Sequence, residues 1–213
     1  VDIIKYGYDI DSLTDTVPVV CNDREIDCLI EGSLNIYRSV EVSAYYGYLW
    51  NTVFKREFIA DLRFDEKLSF CEDHLFTYNY ISHVGTMLIS PSPLYRYKKR
   101  SVNSLSKTSD PYMLLQAANK MLLVKLQIVS NDRDLLEYTK KCFNADIVAA
   151  LKNLYLNENY RRKDRADFYR LLRESASTSF LLPWIRIYSY SWIPLMIKDV
   201  IFKVLLWGKS LKK

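Results

Sequence analysis

The chain has 213 residues, of which 49% are hydrophobic and 26% are charged, a composition typical of folded globular proteins and not of disordered ones. That length is enough for one full hydrophobic core or two small ones. The net charge is +5, and all of this excess lies in residues 180–213, which contain six basic residues and one acidic residue. Because the remainder is neutral overall, the charge distribution argues against a nucleic-acid-binding protein.

The four cysteines are scattered and the chain contains only two histidines. Structural zinc sites need closely spaced pairs of such ligands, so we expect no metal site in this chain. Scattered cysteines of this kind fit a reducing, cytoplasmic compartment. The opening VDIIKYGYDI shows no basic leader or cleavage site, so we expect mid-domain sequence from a longer protein.

In the first third of the chain, residues 2–8 predict a strand, because they are β-branched and aromatic. A polar turn is expected from Asp9 to Asp15. Ser33 is a favoured N-cap, and the apolar spacing after it predicts a helix to about Tyr45. A second helix is expected from about Gly47, carrying the sequence WNTVFKREFI.

The acidic pair Glu72-Asp73 is expected to begin the next helix, since carboxylates are stabilised at the positive end of a helix. Its buried side should carry four apolar residues. These are Leu75, Phe76, Tyr80 and Ile81. Gly85 is expected to end the helix in a positive-φ conformation. Residues 86–90 and 93–98 predict two short strands, separated by prolines that a central strand would exclude.

From residue 111 onward only helices are expected, at about 111–129, 133–156 and 165–174, with Asn131 or Asp132 as the cap of the second. The tail, about residues 180–213, predicts two or three short amphipathic helices divided by Pro183 and Pro194. Three tryptophans lie among its basic residues, a pattern typical of helices at a membrane interface. The same helices could instead cover the core or a second copy in a homodimer.

Four blocks carry a family resemblance: VDIIKYGY, LWNTVFKREFI, LRFDEKLSFCEDHLF and LYRYKKRSVNSLS. In this order and spacing, over about residues 1–107, the chain resembles the acceptor-side, C-terminal half of a bacterial family 2 inverting glycosyltransferase with the GT-A fold. The resemblance implies an α/β fold in residues 1–107, with an all-α extension at residues 108–213. It also implies transfer of a sugar from a nucleotide-diphosphate sugar to a saccharide or lipid-linked acceptor in cell-surface polysaccharide synthesis.

The resemblance assigns roles to individual residues. Asp73 matches the family's general base, which accepts the acceptor hydroxyl proton, and Glu72 matches its neighbouring acid. Arg100 and Ser104 match a loop that closes over the donor diphosphate, although this segment also fits an ordinary solvated basic loop. Trp50 and Asn51 match the acceptor-side wall, where a Trp face can stack on a sugar; a core position is the alternative. His74 could bind metal or diphosphate, or simply pack.

The nucleotide-binding half of the family has no counterpart here. A divalent metal, Mn²⁺ or Mg²⁺, is therefore expected in the full-length enzyme and not on this chain alone. Asp9 and Asp11 have the spacing of a metal-binding pair, although a polar turn of the kind that Asp favours is the preferred explanation. We expect a cytoplasmic protein, peripheral on the inner membrane face. Two other functions stay open, a catalytically silent assembly module and a carboxylate-dependent hydrolase.

Overall fold

A computed structural model describes residues 1–11, 16–19, 27–42, 47–98 and 110–210. In these residues the chain forms a mixed α/β structure. The strands are β1 (Ile3–Asp11), β2 (Thr16–Val19), β3 (Cys28–Glu31), β4 (Thr52–Phe54) and β5 (Thr86–Lys98). The α-helices are α1 (Ser33–Val42), α2 (Glu72–Ile81), α3 (Pro111–Val129), α4 (Arg133–Leu156), α5 (Arg162–Glu174), α6 (Pro183–Arg186) and α7 (Leu195–Ser210).

The chain divides into two compact units. The first contains the described residues before Asp110 together with Lys120–Thr139, and the second contains Asp110–Asn119 together with the described residues from Lys140 onward. The first unit holds the whole sheet and the helices α1 and α2. The second unit is helical.

The sheet of the first unit has the order β2-β1-β5-β3, and β4 also pairs with β1. β1 runs parallel to β5 along its full length, while its other edge pairs with β4 near its start and with β2 near its end. Because β1 has neighbours on both sides, its core-facing residues are fully buried. Ile3 and Lys5 have no exposed surface.

The helices of the first unit cover one face of this sheet. Its buried core joins Ile3 of β1 and Met87 of β5 to residues of α1, α2, α3 and α4. The Tyr37 hydroxyl of α1 lies 2.7 Å from the Thr139 hydroxyl of α4, and both side chains are buried. α2 contributes Tyr78, Tyr80 and Ile81 to this core, and its first turn therefore has a fixed position beside the sheet.

The second unit is built around aromatic side chains. Tyr155 of α4 stacks on Phe202 of α7 with ring centroids 4.1 Å apart, and Tyr169 of α5 stacks on Tyr188 at 5.4 Å. The hydroxyl of Tyr155 also donates to Asp199 at 2.7 Å. Burial raises the pKa of Tyr155 far above its ordinary value, so this hydroxyl is a proton donor at any physiological pH.

Most of the expected elements are present: the first strand, the helix from Ser33, the helix from Glu72 and the helices after residue 111. Asp132 caps α4, since its carboxylate accepts a hydrogen bond of 2.9 Å from the backbone N–H of Leu135. Residues 43–46 of the helix expected to reach Tyr45 lie outside the described part of the chain.

The prediction of a helix after Gly47 is wrong. Residues 52–54 form β4 and pair with Ile3–Lys5 of β1, and a single 3-10 turn follows at Arg56–Phe58. The run Thr-Val-Phe has a high β propensity, and its pairing with the central strand outweighs the helix-like spacing of its apolar residues. The prediction of a turn that begins at Asp9 is also wrong for Asp9 and Asp11, because β1 continues through both residues.

The prolines after Ser90 do not divide the last strand. β5 continues from Thr86 to Lys98, with register shifts against β1 on both sides of Gly7. Pairing with β3 ends at Ile89, so Pro91 and Pro93 lie where β5 has β1 as its one described neighbour and where the ladder is already irregular. Such positions tolerate the missing N–H group. Gly85 follows α2 without the positive φ that we expected.

Candidate functional site

The two acidic residues lie in the first turn of α2, directly after a strained backbone position. Cys71, the N-cap residue, has φ 60° and ψ 19°, and it is the one positive-φ residue other than glycine among those described. A side chain with a Cβ pays a cost in this conformation, and such strain is frequent at functional sites. The partly exposed Asp73 carboxylate accepts a hydrogen bond of 2.8 Å from the backbone N–H of His74.

The segment Gly47–Thr52 packs directly against this turn. The Thr77 hydroxyl of α2 donates to the carbonyl oxygen of Gly47 at 2.8 Å. A Cβ on Gly47 would lie 2.9 Å from the Cα of His74, closer than real Cβ contacts, so only glycine allows this approach. The backbone of the segment is therefore fixed to the helix turn that carries Asp73.

A buried lysine holds the same segment from the sheet side. The ammonium group of Lys5 donates to the carbonyl oxygen of Tyr48 at 2.8 Å and to the side-chain oxygen of Asn51 at 3.3 Å. Lys5 and Asn51 have no exposed surface. The Tyr6 hydroxyl adds a hydrogen bond of 2.6 Å to the carbonyl oxygen of Trp50. The side-chain nitrogen of Asn51 is buried without a hydrogen-bond partner in the described structure.

An aromatic cluster extends from the α2 turn to the end of β5. Tyr48 contacts the His74 ring edge-on at 5.3 Å and stacks on Trp50 at 4.8 Å. Tyr95 and Tyr97 also stack on Trp50, at 4.9 Å and 5.3 Å. Tyr8 of β1 meets the indole edge-on at 4.6 Å. We call these five residues, Tyr8, Tyr48, Trp50, Tyr95 and Tyr97, the Trp50 cluster.

His74 lies among charged groups from several elements. Burial lowers its pKa, and Lys125 of α3 and Lys5 of β1 lower it further, while Asp73 and Glu41 act in the opposite direction. Lys125 forms an ion pair with Glu41 of α1. The imidazole beside Asp73 is therefore neutral at pH 7, and it leaves the negative charge of the carboxylate uncompensated by an imidazolium.

These contacts place the segment that carries Trp50 and Asn51 against the helix turn that carries Glu72 and Asp73. Asn51 has no exposed surface, so in this conformation its side chain positions the segment; its contact with an acceptor stays a prediction. Arg100 and Ser104 lie outside the described residues, as do the other members of that loop.

The sequence reasoning missed Lys5, Gly47, Tyr95 and Tyr97. A lysine between isoleucines and tyrosine in a strand was the available signal for Lys5, because a buried lysine needs polar partners. For Tyr95 and Tyr97 the signal was their alternation along a strand.

The resemblance implies a divalent metal in a longer protein and none on this chain alone. Within the ranges that the structure describes, no three His, Cys, Asp or Glu side chains are grouped so that they could hold an ion. Asp9 lies in β1 opposite Pro18. For Asp11 the structure describes the backbone and not the side chain. The metal expected from the resemblance thus stays a prediction for a longer protein, and no chemical step is derived through it.

No protein-family model matches the chain, and no curated protein sequence does so either. Among the described residues, no helix is both long and apolar enough to span a membrane. The described site consists of a partly exposed carboxylate at a helix N-terminus, a backbone segment held by hydrogen bonds, and an aromatic cluster.

Proposed function

We propose that this chain is the acceptor-side part of an inverting glycosyltransferase that uses a nucleotide-diphosphate sugar as donor and a saccharide or lipid-linked acceptor. The observation that supports this most directly is the position of Asp73. Its carboxylate is partly exposed and oriented by the His74 N–H group. It lies on the helix turn against which the segment carrying Trp50 is packed. Bacterial cell-surface polysaccharide synthesis is the setting that the resemblance suggests.

In the proposed reaction, the acceptor hydroxyl loses its proton to the Asp73 carboxylate as its oxygen attacks C1 of the donor sugar. The C1–oxygen bond to the diphosphate breaks in the same displacement, and the nucleoside diphosphate leaves with that electron pair. A single displacement inverts C1. Glu72 serves as the neighbouring acid of the helix turn, and Arg100 with Ser104 would stabilise the departing diphosphate. A divalent metal would supply further neutralisation of the diphosphate when bound.

The neutral state of His74 is consistent with this role for Asp73. A charged imidazolium next to the carboxylate would stabilise its anionic form and weaken it as a base. Burial and the two lysines keep the pKa of His74 low, so no imidazolium charge lies beside the Asp73 carboxylate at pH 7. The neighbouring residue thus supports proton acceptance without taking part in it.

The test is sugar transfer by the protein with its natural upstream sequence, measured as release of nucleoside diphosphate from UDP-, GDP- and dTDP-sugars. Asp73→Asn should lower turnover by at least about 100-fold, the usual contribution of a general base, with an unchanged circular dichroism spectrum. Asp134→Asn, at an exposed acid in the first turn of α4, is the matched control and should keep most of the activity. Near-normal turnover by Asp73→Asn would refute the assignment. Absence of donor binding and turnover would reject the transferase altogether and favour the assembly module.

A second proposal rests on α7. Its outward residues are aliphatic at intervals of four, and the exposed fractions of Met196, Val200 and Val204 are 67%, 56% and 63%. Trp192, just before the helix, is 77% exposed. The other side of α7 is anchored, since Lys198 donates to the carbonyl oxygens of Tyr188 and Tyr190. A firmly held helix presenting an apolar face is typical of an interaction surface.

We propose that this face binds an anionic membrane surface, because residues 180–213 carry five excess positive charges and tryptophan favours the interface. This would place the protein on the inner face of the membrane. Co-sedimentation with phosphatidylglycerol vesicles should be strong at low salt and weak with phosphatidylcholine. Val200→Asp should abolish it, whereas Leu123→Asp, at an exposed position of α3, should not. No sedimentation at low salt would reject the proposal, and a concentration-dependent dimer sensitive to Val200→Asp would assign the face to a second copy.

A further inference from the structure

The indole of Trp50 is already packed against other aromatic rings of the chain. Three tyrosine rings lie nearly parallel to its indole, with interplanar angles of 19° for Tyr48, 26° for Tyr95 and 20° for Tyr97. The Tyr8 ring meets the edge of the indole at an interplanar angle of 89°. A sugar could stack on the indole only by displacing one of these rings. The acceptor contact that the resemblance gives to Trp50 is therefore better served by another member of the Trp50 cluster.

Two members of that cluster have a substantial exposed fraction. Tyr95 is 38% exposed and Tyr97 is 36% exposed, whereas Tyr8 is only 6% exposed. Tyr95 and Tyr97 are two residues apart in β5, so they project from the same face of the strand. The register places Tyr95 opposite Tyr8 and Tyr97 opposite Ile10 of β1. Both tyrosines thus lie at the carboxyl ends of the parallel pair β1 and β5, the edge where ligands bind in open α/β sheets.

Hydrogen bonds to the backbone around Trp50 hold the ring on which these tyrosines stack. Trp50, on which they stack, is held through its carbonyl oxygen by the Tyr6 hydroxyl. The neighbouring Asn51 and Tyr48 are held by Lys5. A platform whose supporting ring is held by hydrogen bonds loses little conformational freedom when a ligand stacks on it. The rings are therefore arranged for binding in advance.

The chemistry of the surface favours a neutral sugar. A tyrosine ring offers an apolar face to the C–H side of a pyranose and a hydroxyl to its polar rim. A nucleotide would bring a diphosphate that needs cations nearby. The two cations that the structure describes in this part of β5, Arg96 and Lys98, alternate to the opposite face of the strand from Tyr95 and Tyr97. We infer that Tyr95 and Tyr97 form the surface on which the acceptor sugar stacks, with Trp50 as its support. This inference rests on the proposed transferase function.

The binding test does not need turnover. The unaltered chain, without donor, is titrated with methyl pyranosides of the gluco, galacto and N-acetylgluco configurations while tryptophan fluorescence is recorded. At least one should change the fluorescence, because the ligand stacks on rings in contact with Trp50. Tyr95→Ala and Tyr97→Ala should each weaken this binding about tenfold, the usual size of one stacking contact. Tyr138→Ala is the matched control, since Tyr138 on α4 is 37% exposed and lies outside the Trp50 cluster.

Kinetics on the protein with its upstream sequence provide the second readout. Tyr95→Ala should raise KM for the acceptor about tenfold and leave KM for the donor unchanged, while Tyr95→Phe should retain most of the affinity. A rise in the donor KM instead would assign the rings to the nucleotide and overturn the inference. Failure of all the pyranosides to change the fluorescence, or equal weakening by Tyr138→Ala, would also overturn it. The proposed function fails separately, if Asp73→Asn retains normal turnover.

Discussion

The backbone of Gly47 lies so close to His74 that a Cβ on the glycine would be 2.9 Å from the helix Cα. The obstacle is backbone and the start of a side chain, not the far end of a flexible one, so it cannot move aside without shifting α2. One glycine therefore determines how near the segment with Trp50 comes to the turn with Asp73. This relationship leads to a direct test of the site.

Gly47→Ala should lower the free energy of unfolding by about 1–3 kcal/mol, the usual cost of inserting a methyl group into a packed region. It should also alter the near-ultraviolet circular dichroism of the Trp50 cluster, because the segment must move away from α2. Gly85→Ala is the control, since its Cβ would meet only a side-chain oxygen of Asp2 at 3.9 Å. Equal effects of the two substitutions on stability and spectrum would contradict the proposed role of Gly47.

The hydroxyl of Tyr80 connects α2 to the residues that directly precede β1 and follow β4. The hydroxyl donates to the carbonyl oxygen of Asp2 at 2.6 Å and accepts from the backbone N–H of Lys55 at 2.8 Å. Tyr80→Phe keeps the ring but removes these hydrogen bonds, while the N–H group of Lys55 still donates to the carbonyl oxygen of Asp2 at 3.0 Å. The free energy of unfolding should therefore fall by about 0.5–1.5 kcal/mol in urea titrations. Tyr97→Phe, at a partly exposed ring, should change stability by less than about 0.5 kcal/mol. No loss on Tyr80→Phe would show that the hydroxyl is energetically neutral.

Local sequence signals predict the helices of this fold better than they predict which strands pair. The helix at Glu72 follows from its acidic first turn and its apolar spacing, and Asp132 could be foreseen as a cap because its side chain bonds locally. Residues 52–54 could not be assigned in the same way. Their strand exists because Ile3–Lys5 offers an open edge nearly fifty residues away, and a periodicity window does not contain that partner.

The same division holds for the site. Asp73 could be proposed from sequence because its neighbours on the chain give it a context. The importance of Tyr95 and Tyr97 depends on Trp50, more than forty residues away, and on the register that places Tyr95 opposite Tyr8. Lys5 likewise gains its role from the carbonyl oxygen of Tyr48. Contacts between distant segments assemble the cluster, and one sequence does not display them.

Within the second unit, the side chain of Asn144 in α4 forms hydrogen bonds with the backbone of the segment just before α6. Its side-chain nitrogen donates to the carbonyl oxygen of Phe180 at 3.0 Å, and its oxygen accepts from the N–H group of Leu182 at 2.8 Å. Asn144→Leu leaves both backbone groups without this partner, at a cost of about 1–3 kcal/mol for each that stays buried. Hydrogen exchange of the Leu182 amide should accelerate in this variant. Unchanged exchange would contradict the proposed contact.

His74 should make stability depend on pH. Burial lowers its folded-state pKa below the ordinary value of 6.5, with Lys125 and Lys5 acting in the same direction against Asp73 and Glu41. As pH falls below 6.5, the unfolded chain binds a proton at this residue before the folded chain does. The His74 contribution is therefore complete above 6.5 and declines as pH falls toward the folded-state pKa, by at most about 1.4 kcal/mol per pH unit.

The measurement is the free energy of unfolding of the wild type and His74→Gln between pH 7.5 and 5. His74→Gln should lose stability less steeply on acidification than the wild type, because its side chain does not take up a proton in the unfolded chain. Parallel curves for the wild type and His74→Gln would mean that His74 titrates alike in the folded and unfolded chains. The neutral imidazole beside Asp73, and its support for proton acceptance there, would then have to be abandoned.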